Sequence, residues 1–482
     1  MGWPRPPFTT RLAGRRRVPG GETRGPNAVS LLSGPPAALS VCVCISLKRT
    51  CGASGRPSPW RRRLPSSTAR TCATRPWSPP SRRCCAPSPP AGWTRCCATP
   101  GSSTGSPAPT CSSAPAELAR AGDELPAGLR EALEAGADRT RRFARMQRDR
   151  LQDFEAEVLP GVVCGQRLIP VGNVGAYLPA GRFPLLAGAF MTVGVAGVAG
   201  VPNIVAATPP SRDGRPHPAV LYAAHISGAD AVYAVGGVQA LAAMAFGLLD
   251  GTPSDMIVGA GNAYVAEAKR QLYGQVGIDV LAGPSEVAVI ADDTADAATV
   301  AADLLAQAEH GPTSPASLAT TSERLAEEVP REIEKQLAGL ATAEIAGAAW
   351  RDHGTVYLAP DRETVARVMD TLAPEHLEVI AEDLDWWLGR LHNYGSLFLG
   401  PHSTVAYADK GMSGTNHVLP TTRGARYTGG LSVAGFLKQL TYQRATREAT
   451  RAQAEPTVTV SDFEQLVGHR DSARIRLDAL RS

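Results

Sequence analysis

The sequence predicts an α/β protein built on largely parallel, doubly wound sheets. From about residue 185 onward, short apolar runs alternate with Ala-rich segments of helical character. Two of these runs end in Gly-containing turns, at 235–239 and 258–262, and each turn opens a helical segment. Strands that alternate with helices, joined by tight glycine turns, are typical of doubly wound α/β folds.

The first 115 residues have a different composition from the rest of the chain. They hold nine of the ten cysteines and seventeen Lys or Arg, but one acid, Glu22, and no histidine. The remaining residues carry a net charge of −12, which the overall +4 conceals. Runs such as Ser-Pro-Pro-Ser-Arg-Arg at 78–83 have neither helical nor strand periodicity. We expect residues 1–115 to be disordered, because they could not bury enough apolar surface to offset the entropy of ordering.

Three interpretations of this segment stay open. An organelle transit peptide is rich in Arg and Ser and poor in acids, as this segment is. A basic arm for nucleic acid is less favoured, since few aromatic residues accompany the charges, so we predict no nucleic-acid partner. A wrong start site or a shifted reading frame is favoured, and the cysteine doublets at 84–85 and 96–97 then carry no meaning. Cys164 would remain, which fits a reducing compartment.

Residues 116–482 have the composition of an ordinary globular protein and are long enough for two domains. Apolar residues near helical spacing predict a helix over 125–152, and 162–170 resembles a hairpin-like pair of strands. We divide this region at 170–290 and 291–425, followed by a helical tail over 430–482. Apolar runs predict further strands at 204–207, 231–235, 256–258, 287–290, 318–321, 355–358, 377–380 and 396–399.

The apolar stretch at 185–201 could be mistaken for a membrane span. Eight of its residues are Gly or Ala, Pro202 and Asn203 end it, and a strand follows at once. These features favour a buried core helix over a bilayer span. The sequence also has no recognisable secretory signal, so we predict a cytoplasmic protein without a membrane partner.

Glycine loops mark a candidate binding crevice. The turns at 235–239 and 258–262 and the loop at 282–286 all adjoin predicted strands. Glycine lets a backbone approach a phosphate or a cofactor closely. None of the loops matches the dinucleotide fingerprint G-x-G-x-x-G, so each alone also fits a simple tight turn. Three such loops in one α/β unit predict a ligand site.

Gln307 and His310 form a candidate metal platform at the end of a predicted helix. Residues three apart share a helix face, so both side chains project from the last turn before Gly311-Pro312. Imidazole suits zinc well, whereas an amide oxygen is an unusual zinc ligand, so two more ligands are needed. Asp409 and either His417 or His469 could supply them. The alternative is an exposed Gln and a His favoured by the helix dipole.

Glu375 and His376 place a carboxylate beside an imidazole at the start of a predicted strand. Strand alternation points adjacent side chains to opposite faces, but a backbone that is still turning can aim both into one site. Such a pair suits general acid–base catalysis. A surface Glu beside a satisfied core His is the alternative.

Eight ordered motifs together resemble the histidinol dehydrogenase family over roughly residues 120–480. The motifs are Gly-Ala-Tyr-Leu-Pro at 175–179, Gly-Gly-Val-Gln-Ala at 236–240, Gly-Asn-Ala-Tyr-Val-Ala-Glu-Ala-Lys-Arg at 261–270, Ala-Gly-Pro-Ser-Glu at 282–286, Gln-Ala-Glu-His at 307–310, Pro-Glu-His-Leu at 374–377, Gly-Thr-Asn-His-Val-Leu-Pro at 414–420, and Glu464 with His469.

The resemblance implies a fold, cofactors and residue roles. It implies two related Rossmann-like domains in an intertwined homodimer that oxidises a primary alcohol to an acid and reduces two NAD. Glu375 and His376 would be the acid–base pair. One zinc per subunit would be held by Gln307, His310, Asp409 and His469, the last reaching the partner's site. NAD would contact Tyr177, Gln239 and Asn262, and substrate would contact Ser285, His417 and Glu464 together with His376 and the zinc ligands.

Departures from the family pattern bear on the substrate. Ala260 stands where the family usually has proline, and Asp409 lies eight residues before His417, one more than expected. Lys410 and the segments 310–315, 425–431 and 436–443 resemble the branch that oxidises 2,3-dihydroxypropane-1-sulfonate to sulfolactate. An added cation at Lys410 suits an anionic sulfonate better than a cationic amino alcohol. Substrate expectations are therefore L-histidinol or this sulfonate diol, and a non-catalytic zinc-binding paralogue is the alternative of another class.

Overall fold

The computed structural model describes residues 43–45, 112–113, 115–180, 183–211 and 214–480. Most of the segment predicted to be disordered, including the cysteine doublets, lies outside these ranges. Within it, β1 (Val43–Ile45) and β2 (Ser112–Ser113) are short edge strands. Each pairs antiparallel with a strand of a larger sheet.

The first large sheet is parallel apart from its edge strand β2. Its order is β2-β7-β6-β5-β8-β9, so the parallel strands follow the sequence order 3-2-1-4-5. This is a doubly wound arrangement whose switch point lies between β5 and β8. The parallel strands are β5 (Asn173–Tyr177), β6 (Asn203–Thr208), β7 (Ala231–Ala234), β8 (Met256–Val258) and β9 (Gly277–Ile278).

The second large sheet repeats the same strand order. Its order is β1-β12-β11-β10-β13-β14, and all its strands except β1 are parallel. The switch point lies between β10 and β13, because the chain order is again 3-2-1-4-5. The parallel strands are β10 (Val287–Ala291), β11 (Ala316–Thr320), β12 (Gly354–Leu358), β13 (His376–Ile380) and β14 (Ser396–Leu399).

Helices cover both faces of each large sheet, and the apolar cores lie between the layers. The first sheet is flanked by α2 (Ala127–Arg148), α3 (Ala187–Ala189), a π-helical turn (Phe190–Gly194), α4 (Val195–Ala199), α5 (Pro218–Ser227), α6 (Gly237–Ala245) and α7 (Ala263–Leu272), with α1 (Pro115–Arg120) packed on α5. The second sheet carries α8 (Ala297–Ala308), α9 (Glu323–Leu337), α10 (Ala343–His353), α11 (Arg362–Leu372), α12 (Leu384–Arg390) and α13 (Val405–Asp409).

A third, antiparallel sheet and a helical pair complete the chain. The sheet has the order β15-β4-β3, with β3 (Phe154–Leu159), β4 (Val162–Pro170) and β15 (Leu437–Ala445). The segment 162–170, expected as a hairpin-like pair, is therefore one strand, because its partners come from elsewhere in the chain. The helical tail expected over 430–482 also contains β15. Its helices are α14 (Thr450–Phe463) and α15 (Val467–Asp478).

The alternation read from the sequence is confirmed, with two changes. Every predicted strand from residue 204 onward is present within three residues of its expected ends, and the helix predicted at 125–152 is α2. Strands β5 and β9 were not predicted, and β10 belongs to the second sheet, so the boundary expected at 290 lies before residue 287. The stretch at 185–201 forms a buried helix, as expected, and this helix contains a π-helical turn that was not predicted. No helix among the described residues is long and apolar enough to cross a membrane.

Candidate active site

A cavity of about 420 Å³ lies between opposite edges of the two large sheets. The first domain contributes the carboxyl ends of β5 and β8, through Tyr177 and Gly259. The second domain contributes residues that precede or begin β10 and β13, including Ser285 and His376. Ligands bind beyond the carboxyl ends of strands in doubly wound sheets. The first domain therefore contributes the end of its sheet where ligands usually bind, which we call the ligand edge.

Gly259 is held close to β5 by tight packing and by a buried ion pair. Its φ is +113°, and a Cβ there would lie 2.2 Å from the Tyr177 carbonyl oxygen. Lys269 Nζ donates to the Gly259 carbonyl (2.5 Å), and the Gly259 N–H donates to Asp279 Oδ2 (2.7 Å). Lys269 and Asp279 also pair directly, and both side chains are almost fully buried. Both polar groups of this peptide are thereby fixed, so the loop can approach a ligand in one conformation.

Asp409, the last residue of α13, is the centre of the polar cluster in the second domain. Gln307 Nε2 donates to Asp409 Oδ2 (3.1 Å), and His310 Nε2 lies 3.5 Å from the same oxygen. His417 Nδ1 lies 3.1 Å from Asp409 Oδ1. Gln307 and His310 therefore project to the same place, as helical spacing predicts, and both approach Asp409. His417 joins the cluster from the opposite side of the carboxylate.

The hydrogen bonds assign the tautomers of two histidines. His376 Nδ1 lies 3.0 Å from the Glu286 carbonyl, which can only accept, so this nitrogen carries the proton. Its Nε2 is then an acceptor, 3.2 Å from the protonated Nδ1 of His417. Thr415 Oγ1 donates to the remaining nitrogen of His417 at 3.2 Å. In its neutral form, His376 thus presents Nε2 as its basic atom.

Burial controls the ionisation of the acid–base pair. It lowers the pKa of His376 to about 4 and raises the pKa of Glu375 well above its usual value. Burial also opposes ionisation of Asp409, but hydrogen bonds from His310 and His417 outweigh it and lower the pKa of that carboxyl. At neutral pH the site therefore contains a neutral His376, a carboxylate at Asp409, and a Glu375 with increased proton affinity.

Glu375 and His376 both line the cavity although they are adjacent in sequence. Glu375 directly precedes β13, and its Oε2 lies 3.5 Å from His376 Nδ1. Ala373 adopts a left-handed conformation (φ +48°) at the end of α11, so the chain is still turning just before the pair. The Glu286 N–H donates to Glu375 Oε2 at 2.9 Å and fixes its carboxylate. This turn brings together side chains that a regular strand would separate.

Four of the predicted residues lie outside this cluster. Gln239 and Asn262 are exposed and follow β7 and β8 at the ligand edge, where Asn262 caps α7. Glu464 and His469 are exposed on the C-terminal helical pair. Neither Glu464 nor His469 lines the cavity in the described part of the chain. Seven other predicted residues line the cavity, namely Tyr177, Ser285, His310, Glu375, His376, Asp409 and His417. Gln307 does not line the cavity directly but contacts Asp409.

Comparison with known proteins identifies the family. The model of the family described as histidinol dehydrogenase matches residues 105–477. The sulfopropanediol 3-dehydrogenase of Ruegeria pomeroyi is 49% identical over 365 residues, covering 75% of this chain and 84% of that protein. The histidinol dehydrogenase of Nitrobacter winogradskyi is 43% identical over 343 residues, covering 69% of this chain and 80% of that protein.

The chain belongs to the histidinol dehydrogenase family. It is therefore an NAD-dependent oxidoreductase that acts on CH–OH groups. The crystal structure of histidinol dehydrogenase from Elizabethkingia anophelis superposes with a TM-score of 0.73 at 34% identity, covering 78% of this chain and 86% of that one. The two parallel sheets and their helices match that family fold, as the sequence resemblance implied.

Sequence reasoning missed several polar residues that support this histidinol dehydrogenase family site. Glu286 fixes both members of the acid–base pair through its backbone. Asn416 donates to the Met191 carbonyl (2.7 Å) in the π-helical turn and accepts from the Val418 N–H (2.9 Å), so it braces the chain on both sides of His417. Lys269 and Glu378 are also buried. An acidic residue within the apolar strand β13 was the available signal for Glu378, whereas Lys269 lies in a helix with several other polar residues and had no such signal.

Substitution of the ion pair that holds Gly259 tests whether the ligand edge of the first domain binds the cofactor. In D279N, buried Lys269 loses its counter-ion, so we expect the free energy of unfolding to fall by about 3–5 kcal/mol. K269M/D279L removes both charges, so we expect it to recover much of that stability while the dissociation constant for NADH still rises about tenfold, from loss of preorganisation. Urea unfolding and NADH fluorescence titration measure the two effects.

The control is E267Q on the exposed face of α7. Glu267 pairs with Arg270 at 2.6 Å in solvent, and such exposed pairs contribute little to stability. If K269M/D279L bound NADH with wild-type affinity, the ion pair that fixes Gly259 would have no role in cofactor binding.

Proposed function

We propose that this protein is a zinc- and NAD-dependent dehydrogenase that oxidises a small anionic primary alcohol, through its aldehyde, to a carboxylate. Overall, R–CH₂OH, two NAD⁺ and water yield R–COO⁻, two NADH and three protons. The observation that supports this proposal most strongly is that one cavity combines the ligand edge of the first domain with His376, Glu375 and the Asp409 cluster of the second domain. A hydride acceptor, a base for the alcohol and a base for water can meet in this cavity.

The residues around Asp409 fit a zinc ion. The buried Oε1 of Gln307 has no hydrogen-bond partner among the described residues, so this acceptor is open to a cation. His310 Nε2 and Asp409 Oδ2 lie 3.5 Å apart and provide ligand types that zinc prefers. Ligand atoms of His376, Asp409 and His417 also lie within 4.8 Å of one another. We assign the ion to Gln307, His310 and Asp409, and we assign His376, whose basic nitrogen is Nε2, to proton transfer. Zinc bound there would polarise the substrate hydroxyl.

We propose His469 of the partner subunit as the fourth ligand, in a homodimer. The supporting observation is the exposed C-terminal helical pair, where α15 has no buried residue. Phe463 and Ile475 are 91% and 69% exposed there. Large apolar side chains exposed together on one helical pair indicate a partner surface. A second copy would cover these side chains and carry Glu464 and His469 to a neighbouring cavity.

NAD is expected at the first domain, with Tyr177, Gln239 and Asn262 as contacts, where it would accept hydride. Tyr177 supports this assignment because its hydroxyl accepts from the Gly237 N–H at 3.1 Å and joins two loops at the ligand edge. Asn262 opens α7 and Gly237 opens α6, so two helix N-termini meet at this edge. Such N-termini favour phosphate groups.

His376 and Glu375 divide the proton transfers. Neutral His376 can take the proton of the substrate hydroxyl at Nε2, since its Nδ1 is already protonated. Oxidation of the aldehyde requires water, and the ionised form of Glu375 can accept a proton from that water. Its raised pKa makes this carboxylate a stronger base than an exposed one. This intact pair argues against a non-catalytic zinc-binding paralogue.

Lys410 supports an anionic substrate. It follows Asp409 directly and lines the same cavity as Ser285 and His417, which we assign to substrate binding. A sulfonate would gain a charge-assisted contact there, whereas the ammonium group of histidinol would be repelled. The similarity to a sulfopropanediol 3-dehydrogenase agrees with this assignment. We therefore propose 2,3-dihydroxypropane-1-sulfonate, with histidinol as the second candidate.

Removal and return of metal tests the zinc site and the homodimer. We expect a chelator to abolish NADH formation, one zinc per subunit to restore it, and Q307A and H469A each to weaken zinc binding about tenfold or more. Coexpressed Q307A and H469A subunits should regain strong binding at about a quarter of sites, because only one site of a mixed dimer is intact. H402A, on an exposed loop, is the matched control. If the coexpressed variants bound zinc as weakly as each variant alone, a ligand from the partner subunit would be contradicted.

Substitution of Lys410 tests the substrate class. For K410M we expect kcat/KM for the sulfonate diol to fall about tenfold or more, since one charge-assisted contact is lost, while kcat/KM for histidinol stays level or rises. NADH absorbance measures both rates. K438M, on the exposed strand β15, should change neither rate. Wild-type enzyme that prefers histidinol would instead support the second candidate.

The raised pKa of Glu375 predicts different pH profiles for the two oxidation steps. Only the ionised form accepts a proton, so oxidation of the aldehyde should rise with pH through this raised pKa. Oxidation of the alcohol should stay level near neutrality, because His376, with its pKa of about 4, is already neutral. E375Q should slow the aldehyde step by about 10²-fold or more and release aldehyde after one NADH. Identical profiles for separately supplied alcohol and aldehyde would contradict this division.

A further inference from the structure

Two carboxyl groups, Glu378 and Asp303, lie behind the candidate zinc site and have no role in the proposed chemistry. Glu378 is fully buried at the centre of β13. Asp303 lies on α8, and its carboxyl is close enough to contribute to the raised pKa of Glu378. Two unpaired carboxylates would be costly in such a place, so this pair calls for a physical explanation.

The pair connects the elements that carry the catalytic and metal residues. Strand alternation puts Glu378 on the same sheet face as His376. Asp303 and Gln307 are one helical turn apart on the same face of α8. At the start of α13, the Val405 N–H donates to Glu378 Oε1 (2.7 Å) and Thr404 Oγ1 donates to Asp303 Oδ1 (2.9 Å).

These contacts place the pair at the beginning of the helix that ends in Asp409. Helix α13 has five residues, so a shift of its first turn moves Asp409 directly. The remaining oxygen of Glu378, Oε2, is buried and has no donor if both carboxyls are ionised. One retained proton between the two groups supplies that donor. Burial, and then the neighbouring Asp303, raises the pKa of Glu378 to about 8, which agrees with a retained proton.

We propose that Glu378 and Asp303 share one proton and act as positioning residues that fix Asp409, and with it Gln307, for metal binding. The inference rests on the proposed zinc site for its metal readout. The position of α13 provides a second readout that needs no metal. The two residues hold the metal ligands without touching zinc or substrate.

Amide substitutions distinguish a shared proton from two separate carboxylates. E378Q supplies the missing donor as an amide, and D303N does the same from the other side, so each single variant should bind zinc within about threefold of wild type. In E378Q/D303N, Thr404 and Val405 occupy the two amide oxygens, and the two NH₂ groups then face each other. We expect the zinc dissociation constant of the double variant to rise at least about tenfold.

Three measurements test this proposal. Competition with a chromogenic chelator gives the zinc dissociation constant, and hydrogen exchange of the amides at 404–412, measured without metal, reports the position of α13. Thermal unfolding checks that each variant is folded. E378Q/D370N is the matched control, because Asp370 accepts from the His392 and Asn393 amides outside the pair and away from α13. It should behave like E378Q.

The outcomes separate this inference from the proposed function. If E378Q alone weakened zinc binding as much as the double variant does, the shared proton would be overturned. If the double variant had wild-type zinc affinity and wild-type hydrogen exchange, the positioning role would be overturned. If wild type binds no zinc but the double variant still exchanges faster at 404–412, the zinc site fails while the pair's hold on Asp409 stands. If the double variant does not fold, T404V replaces it, and unchanged zinc affinity and exchange in T404V would overturn the proposal.

Discussion

The part of the site that the second domain contributes depends on the contacts of the Asp409 carboxylate. Its two oxygens join Gln307 and His310, from the end of α8, to His417, from a loop that follows α13. His376 joins the cluster through His417. A carboxylate surrounded by amide and imidazole groups remains ionised despite its burial, so the cluster keeps a concentrated negative charge in a largely apolar cavity. Such a centre suits a cation, and it orders the histidines around it.

The location of the site follows from the topology of the two sheets. Both have the same strand order, yet they meet the cavity with opposite edges, because the first contributes carboxyl ends and the second contributes segments at amino ends. One edge offers glycine turns and helix N-termini, which suit a cofactor. The other offers the turn before β13 and the end of α8, which hold the reactive side chains. Opposed edges therefore bring cofactor chemistry and acid–base chemistry into one space.

Buried polar groups reinforce both edges at a cost in stability. Lys269 and Asp279 immobilise the Gly259 peptide, and Glu378 with Asp303 holds the start of α13. A buried charge or carboxyl is unfavourable unless it is paired, and an apolar replacement is often neutral or stabilising. Their presence directly behind ligand loops is consistent with selection for geometry rather than stability. The same reasoning applies to the π-helical turn whose Met191 carbonyl binds Asn416.

The sequence by itself determined the alternation of strands and helices, the family, and most of the polar residues of the cavity. Apolar periodicity and motif order are local properties, so β6 to β8 and the pair Gln307 and His310 could be predicted from them. Only the tertiary structure decided which strands pair, because one partner of β4 is the distant strand β15. The tertiary structure also decided which sheet contains β10. It also decided that Glu375 and His376 face one cavity and that Glu378 lies behind Asp409. Those outcomes depend on contacts between distant segments, which no local pattern encodes.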